Sequence, residues 1–235
     1  MIVQGKNVCM EVIKTNKKIK NVYLQNDFKD EEILNLLGNR FNIKYLDKKK
    51  LDNMCENNQG IILEIEDYKY YPQDKFMDEI DDKSFIVILD HLQDPHNFGA
   101  IIRTCEAANV DFIVIPKDRS VKVNSTVMKV SAGALNRVRI VQVTNLNNII
   151  KKLKEKNIWV VATDLNTNNN YTDVDYKSAT AIVIGNEGSG VSRLVKENCD
   201  FLVKIPMIGK INSLNASVAT GIMIYEVIRQ RGNNE

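Results

Sequence analysis

Residues 180–229 read TAIVIGNEGSGVSRLVKENCDFLVKIPMIGKINSLNASVATGIMIYEVIR. Two apolar runs in it, Ala181–Gly185 and Phe201–Ile205, have the length and the Val/Ile content of buried strands. Each stops at residues suited to touching a ligand, Gly185-Asn186-Glu187-Gly188 after the first and Pro206-Met207 after the second. After a short loop, Ser213-Leu214-Asn215 opens an apolar helix that runs to Arg229. A buried strand ending in glycine and a carboxylate, near a polar helix start, is how open α/β sheets build small-molecule sites at their carboxyl edge.

The same pattern extends upstream. Phe85–Leu89 is a continuous apolar run bounded by Asp90, as expected for a strand covered on both faces of a parallel sheet, and Phe112–Ile115 and Ile158–Ala162 repeat it. Helical stretches lie between the runs, at Asn97–Ala108, from near Thr126, at Asn145–Lys156 and at Ser192–Asn198. Strands alternating with helices predict a doubly wound α/β domain over residues 84–235. Residues 1–66 repeat the alternation on a smaller scale, with helices at Gly5–Lys14, Asp30–Leu37 and Lys48–Met54 and strands at Asn21–Gln25, Asn42–Leu46 and Gly60–Ile65. Between the two, the charged and apolar-poor residues 67–83, with Pro72, read as a linker.

Composition excludes several classes. No run approaches the ~18 apolar residues of a membrane span, and the first residues lack the charged-then-apolar order of a secretory signal, so a soluble cytosolic protein is expected. Cys9, Cys55, Cys105 and Cys199 are far apart and form no C-x-x-C pair, which fits buried thiols rather than a zinc site or a disulfide framework. The net charge of +2 is unlike that of a histone-type binder. It is unevenly spread: Lys+Arg against Asp+Glu is 13 to 16 over residues 1–82 and 19 to 14 over residues 83–235. Within the acidic part the lysines are clumped, at Lys14, Lys17, Lys18 and Lys20 and again at Lys44, Lys48, Lys49 and Lys50. Such clumps can grip phosphates or can be ordinary solvated surface.

The stretch Asp90–Arg103, DHLQDPHNFGAIIR, holds further candidates. Asn97 suits a helix cap, and Arg103 falls off the apolar face of Ile101, Ile102 and Cys105, where a surface pair with Glu106 would occupy it. His91 and His96 flank Asp94 without further ligands at metal spacing, and read as loop histidines. There is no Gly-x-Ser-x-Gly elbow, no G-x-G-x-x-G after the first long strand and no phosphate-cradling GKS or GKT loop. Taken alone, Gly185–Gly188 also fits a simple turn.

The order of the segments is more specific than any one of them. Asp94-Pro-His-Asn-Phe-Gly-Ala-Ile-Ile-Arg103, then Ile184-Gly-Asn-Glu-Gly-Ser-Gly190, then Ile205-Pro-Met207 with Ser213-Leu-Asn-Ala-Ser217, resembles the three motifs of the SpoU-type RNA ribose 2′-O-methyltransferases. The resemblance covers residues 84–231. Residues 1–66 are similar to the ribosomal-protein-like RNA-binding domain that precedes the catalytic domain in bacterial members. Closest in arrangement are the enzymes that methylate a guanosine of 23S ribosomal RNA. Two departures, Asn57-Asn58-Gln59-Gly60 for the usual Asn-His-Gln-Gly and Ala216 for a usual Val, bear on the target rather than on the reaction.

The resemblance implies an α/β SPOUT domain whose parallel sheet ends in a trefoil knot, a feature that composition and spacing cannot show. It implies S-adenosylmethionine as cofactor, held at Thr163, Gly185, Ile205, Met207 and Leu214. It implies catalysis by Arg103, supported by Asn97, Glu187, Ser213 and Asn215. Arg103 is then expected to orient the ribose and an adjacent phosphate and to stabilise the developing alkoxide, since a guanidinium is a poor base. No metal is required, because the leaving thioether is neutral. Rival readings are a guanosine of transfer RNA as target and a catalytically silent RNA-binding assembly factor. The final helix carries Val218, Ile222, Tyr225 and Ile228 as one stripe, with Ala219, Met223 and Val227 widening it. With the resemblance, this predicts a homodimer through that helix, in which Arg103 of one subunit serves the site of the other.

Overall fold

The structure, a computed structural model, describes residues 1–14 and 18–232; Lys17 of the first lysine clump lies outside them. By packing, residues 1–69 with 123–125 form one unit and the rest of the chain the other.

The first unit runs β1 (Ile2–Gln4), α1 (Lys6–Lys14), β2 (Ile19–Gln25), α2 (Glu31–Leu37), β3 (Ile43–Leu46), α3 (Lys48–Met54) and β4 (Ile61–Ile65). Its sheet order is β1-β4-β2-β3, with β4 antiparallel to both neighbours and β3 parallel to β2 at the open edge. Aspartates set two helix starts: Asp30 accepts from Ile33 N and Asp47 from Lys50 N. β1 was not foreseen, because three residues make a strand only through their pairing with β4.

The second unit runs α4 (Gln73–Glu79), β5 (Phe85–Asp90), α5 (Pro95–Ala107), β6 (Phe112–Pro116), α6 (Ser125–Val130), β7 (Ile140–Val143), α7 (Leu146–Glu155), β8 (Trp159–Thr163), β9 (Thr180–Gly185), α8 (Arg193–Asn198), β10 (Phe201–Val203) and α9 (Ala216–Gly232). Its strands pair in parallel in the order β10-β8-β9-β5-β6-β7. Every residue of β5, β6 and β9 is buried, which explains why these strands read as continuous apolar runs, apart from Asp90 and Thr180 at strand ends, rather than alternating. The chain moves outward from β5 through β6 to β7, then crosses to β8 and returns as β9 between β8 and β5. This reversal of strand order places a crevice at the carboxyl ends beside β5 and β9.

Three differences from the sequence reading have physical causes. Within the segment read as a linker, α4 buries Phe76 completely, edge-on to Phe112 at 4.9 Å, and Ile80 follows it into the core, while the residues around them stay largely exposed. β7 went unrecognised because its four residues are too few to stand out, although Ile140, Val141 and Val143 are buried. β10 ends at Val203, and beyond it Lys204 binds the preceding polar loop instead of continuing the strand. Lys204 N donates to Asn169 O at 2.9 Å and Tyr171 N to Lys204 O at 2.9 Å, so the chain leaving β10 is laced to the chain leaving β8.

Candidate active site

A cleft of ≈ 390 Å³ opens at the carboxyl ends of β8, β9 and β10, within the size range of small-molecule sites. Thr163, Gly185, Ile205, Met207 and Leu214 all line it, as do Glu187 and Ser213. Its walls are of two kinds. Ile184, Val191, Ile205, Met207 and Leu214 offer apolar surface. Among the described residues the backbone N–H groups of Ile205, Met207 and Leu214 have no hydrogen-bond partner, although Ile205 and Met207 are half-buried. Unpaired backbone donors on residues that line a cleft leave main chain available to grip a ligand there.

The loop after β9 is closed on itself. Asn186 N donates to Gly190 O at 3.1 Å and Gly190 N to Asn186 O at 2.9 Å, while Asn186 Oδ1 accepts from Gly188 N at 2.9 Å. Gly190 closes the turn at φ 67°, a region that favours glycine. Gly185 is required for a different reason from close approach to a ligand. A Cβ there would lie 2.0 Å from Gly190 C and 2.1 Å from Val191 N, inside the backbone of its own loop.

α5 starts one turn earlier than expected. Asp94, not Asn97, is the cap and accepts from His96 N and Asn97 N. That frees the side chain of Asn97, which is buried and joins the other two motifs. Asn97 Nδ2 donates to Glu187 Oε1 at 3.0 Å, and Asn215 Nδ2 donates to Asn97 Oδ1 at 2.8 Å. Asn215 in turn caps α9, its Oδ1 accepting from Ser217 N at 2.9 Å. One chain of amide and carboxylate contacts therefore ties together the loop after β9, the start of α5 and the start of α9. Replacing Asn97 with alanine strips Glu187 and Asn215 of this shared partner. A loss of about 1–3 kcal/mol is expected, read as an earlier midpoint in urea unfolding.

Arg103 stands apart from this cluster. It is exposed on α5, does not line the cleft, and among the described residues has no hydrogen-bond or ion-pair partner. The surface pair with Glu106 does not form, because Glu106 Oε1 takes Arg137 Nη1 at 2.9 Å. On the same helix Thr104 faces Gly221 of α9, against which α5 packs. α9 buries Ala216, Thr220, Met223, Ile224 and Val227 and leaves Val218 and Tyr225 about half exposed, at 50% and 54%. Met223 and Val227, read as widening the outer stripe, instead form the inner face.

Two groups escaped the sequence reading. Asp90, buried at the end of β5, accepts from Ser192 N at 2.7 Å and contacts His91 Nδ1, while Asn186 Nδ2 donates to His91 O at 3.0 Å. It fixes the far side of the glycine loop. Asp164, in the cleft wall, pairs with Lys196 of α8 at 3.2 Å. The signal for both was available, since each is a carboxylate at the end of an apolar strand, as Glu187 nearly is. Burial disfavours the thiolate at two cysteines, pushing Cys9 up to about 12 and, with Asp200 nearby, Cys199 up to about 12. Among the described residues no group of three or more His, Cys, Asp or Glu could hold a metal ion.

Residues 84–225 match the SpoU rRNA Methylase family, and residues 2–71 match the RNA 2′-O ribose methyltransferase substrate-binding family. YacO of Bacillus subtilis (strain 168), assigned to the TrmH family of tRNA/rRNA methyltransferases, is 41% identical over 97% of this chain and 94% of its own. The SpoU methyltransferase AviRb of Streptomyces viridochromogenes, solved in complex with AdoMet, superposes with a TM-score of 0.77, covering 100% of this chain and 91% of that one at 22% identity. The A. aeolicus TrmH/SpoU tRNA modifying enzyme gives a TM-score of 0.60 at 36% identity, over 68% of this chain and 84% of its own.

Proposed function

The chain belongs to the SpoU rRNA methylase family, and from that premise we propose that it transfers a methyl group from S-adenosylmethionine to a ribose 2′-hydroxyl of structured RNA, with a guanosine of 23S ribosomal RNA as the favoured target. The observation that carries the reading is the linkage of the three motifs through Asn97, Glu187 and Asn215 beside a cleft that all five cofactor positions line. The cofactor assignment is supported by the AdoMet held by AviRb and by the apolar walls and unpaired backbone donors of this cleft.

In this mechanism Ile205, Met207 and Leu214 would hold the cofactor through main chain, and Thr163 and Gly185 would line the same cleft. When bound, S-adenosylmethionine supplies the electrophilic sulfonium methyl. A ribose hydroxyl is a weak nucleophile, so its proton must leave as it attacks. Arg103 orients the ribose and an adjacent phosphate and stabilises the alkoxide as it forms, and the phosphate is the better proton acceptor of the two. Glu187 and Ser213 would set the rim against which the ribose is placed, with Asn97 and Asn215 holding Glu187 and the start of α9 in position.

That Arg103 is exposed and outside its own cleft supports the reading that it serves the cleft of a second copy, docked through the outward stripe of α9. Val218 and Tyr225 are half exposed on that stripe, with Ile222 and Ile228 beside them partly covered. A V218E/Y225E protein is expected to run at the 26.8 kDa of one chain and to lose methyl transfer, while the wild type runs at twice that mass. A wild-type monomer with full activity would refute the shared site.

Transfer RNA is the second reading, favoured by the 36% identity to a tRNA modifying enzyme. Incubation with methyl-labelled S-adenosylmethionine and separate ribosomal and transfer RNA pools tests both. Label in ribosomal RNA is expected; label in transfer RNA alone selects the second reading, and label in neither rejects both.

A further inference from the structure

The two lysine clumps of the first unit have different surroundings. In the first, Lys14 pairs with Glu32 at 3.3 Å and Lys18 with Glu66 at 3.1 Å, and the Lys18 ammonium holds the Glu66 carboxyl below its usual range. Lys14 and Lys18 are therefore matched. In the second, Arg40, Lys44, Lys48, Lys49 and Lys50 face one carboxylate within residues 40–50, Asp47, which pairs with Lys50 at 3.5 Å. Among the described residues Lys44, Lys48 and Lys49 have no ion-pair partner, and all three are exposed. This island of positive charge sits in a part of the chain that is otherwise acidic.

Aromatic surface is interleaved with it. Tyr45 is 55% exposed on β3, the edge strand, on the opposite face of the pleat from Lys44 and just ahead in sequence of the lysines of α3. The Lys44 ammonium lies 5.6 Å from the Tyr23 ring centre and the Arg40 guanidinium 5.5 Å from that of Phe41. Lysines on an edge strand also discourage sheet-to-sheet pairing, which would account for Lys44. It does not account for an exposed tyrosine next to it in sequence or for three consecutive lysines on the following helix. Phosphate-binding cations around an exposed ring are the chemistry of single-stranded or looped RNA, whose backbone is gripped while a base stacks.

We propose that the β3–α3 edge of the first unit is the surface that grips the RNA substrate, with Lys44, Lys48 and Lys49 on phosphates and Tyr45 stacking on an unpaired base. This rests on the reading that the chain acts on RNA. The test uses the full chain and bacterial ribosomal RNA, measuring the dissociation constant from low to moderate salt. Each lysine that neutralises a phosphate contributes about 0.7–0.9 to the salt slope. The K44Q/K48Q/K49Q protein is therefore expected to lose about 2–3 from the slope, and Tyr45→Ala to bind about tenfold more weakly. The K14Q/K18Q protein is expected to keep the wild-type slope. S-adenosylmethionine binding, measured by calorimetry, is expected to be unchanged in all of them, which separates misfolding from lost contact. If the wild type binds RNA and the triple variant keeps its slope, the assignment of this face is wrong. If the wild type neither binds nor methylates ribosomal or transfer RNA, the underlying reading fails and this one with it.

Discussion

A Gly185→Ala protein is expected to lose about 3 kcal/mol or more of stability and all measurable S-adenosylmethionine binding. One methyl group is added, but it would lie 2.0–2.4 Å from the carbonyl carbon and oxygen of Gly190 and the nitrogen of Val191. Flexible side chains can yield to such a contact, whereas backbone held in a closed turn cannot. The Asn186–Gly190 hydrogen bonds would break or β9 would shift, and β9 is the buried strand between β8 and β5. Chemical unfolding and cofactor calorimetry would show the two losses together. A stable variant that fails only to bind cofactor would mean that the glycine serves the ligand alone.

Arg103→Ala is expected to behave in the opposite way. Its side chain touches neither the cleft of its own chain nor the Asn97 cluster, so stability and cofactor affinity should hold. Removing one stabiliser of developing charge costs about 10²–10³ in kcat, and that loss is expected in methyl transfer. Mixing Arg103→Ala subunits with subunits that bear an intact arginine but a disabled Gly185 loop extends the test. Partial recovery of activity is expected from a site shared between copies, and none from a site within one chain.

Much of the fold was legible in the sequence because the second unit's central strands are buried on both faces. Phe85–Leu89, Phe112–Ile115 and Ala181–Gly185 therefore appear as unbroken apolar runs. What was not legible depends on partners far away in sequence. β1 exists through β4, and α4 is anchored in part by the edge-on contact of Phe76 with Phe112. The site divides in the same way. Residue types and their order pointed to Asn97, Glu187 and Asn215, but their contacts span 90 and 118 residues and no local pattern encodes them. Asn97 looked like a cap because caps are local chemistry; the displacement of that role to Asp94 leaves its amide for the cluster. The requirement for Gly185 likewise depends on how the next five residues fold back. For Arg103 a local ion pair was the expected occupant, and Arg137 takes that carboxylate instead.

The most direct measurement is the chemical position of the transferred methyl. Ribosomal RNA incubated with the protein and S-adenosylmethionine would be digested to nucleosides and resolved by mass spectrometry. The prediction is a gain of 2′-O-methylguanosine, with the added mass on the ribose fragment, that disappears with Arg103→Ala. A methyl on the base fragment, or a gain that survives the loss of Arg103, would contradict it.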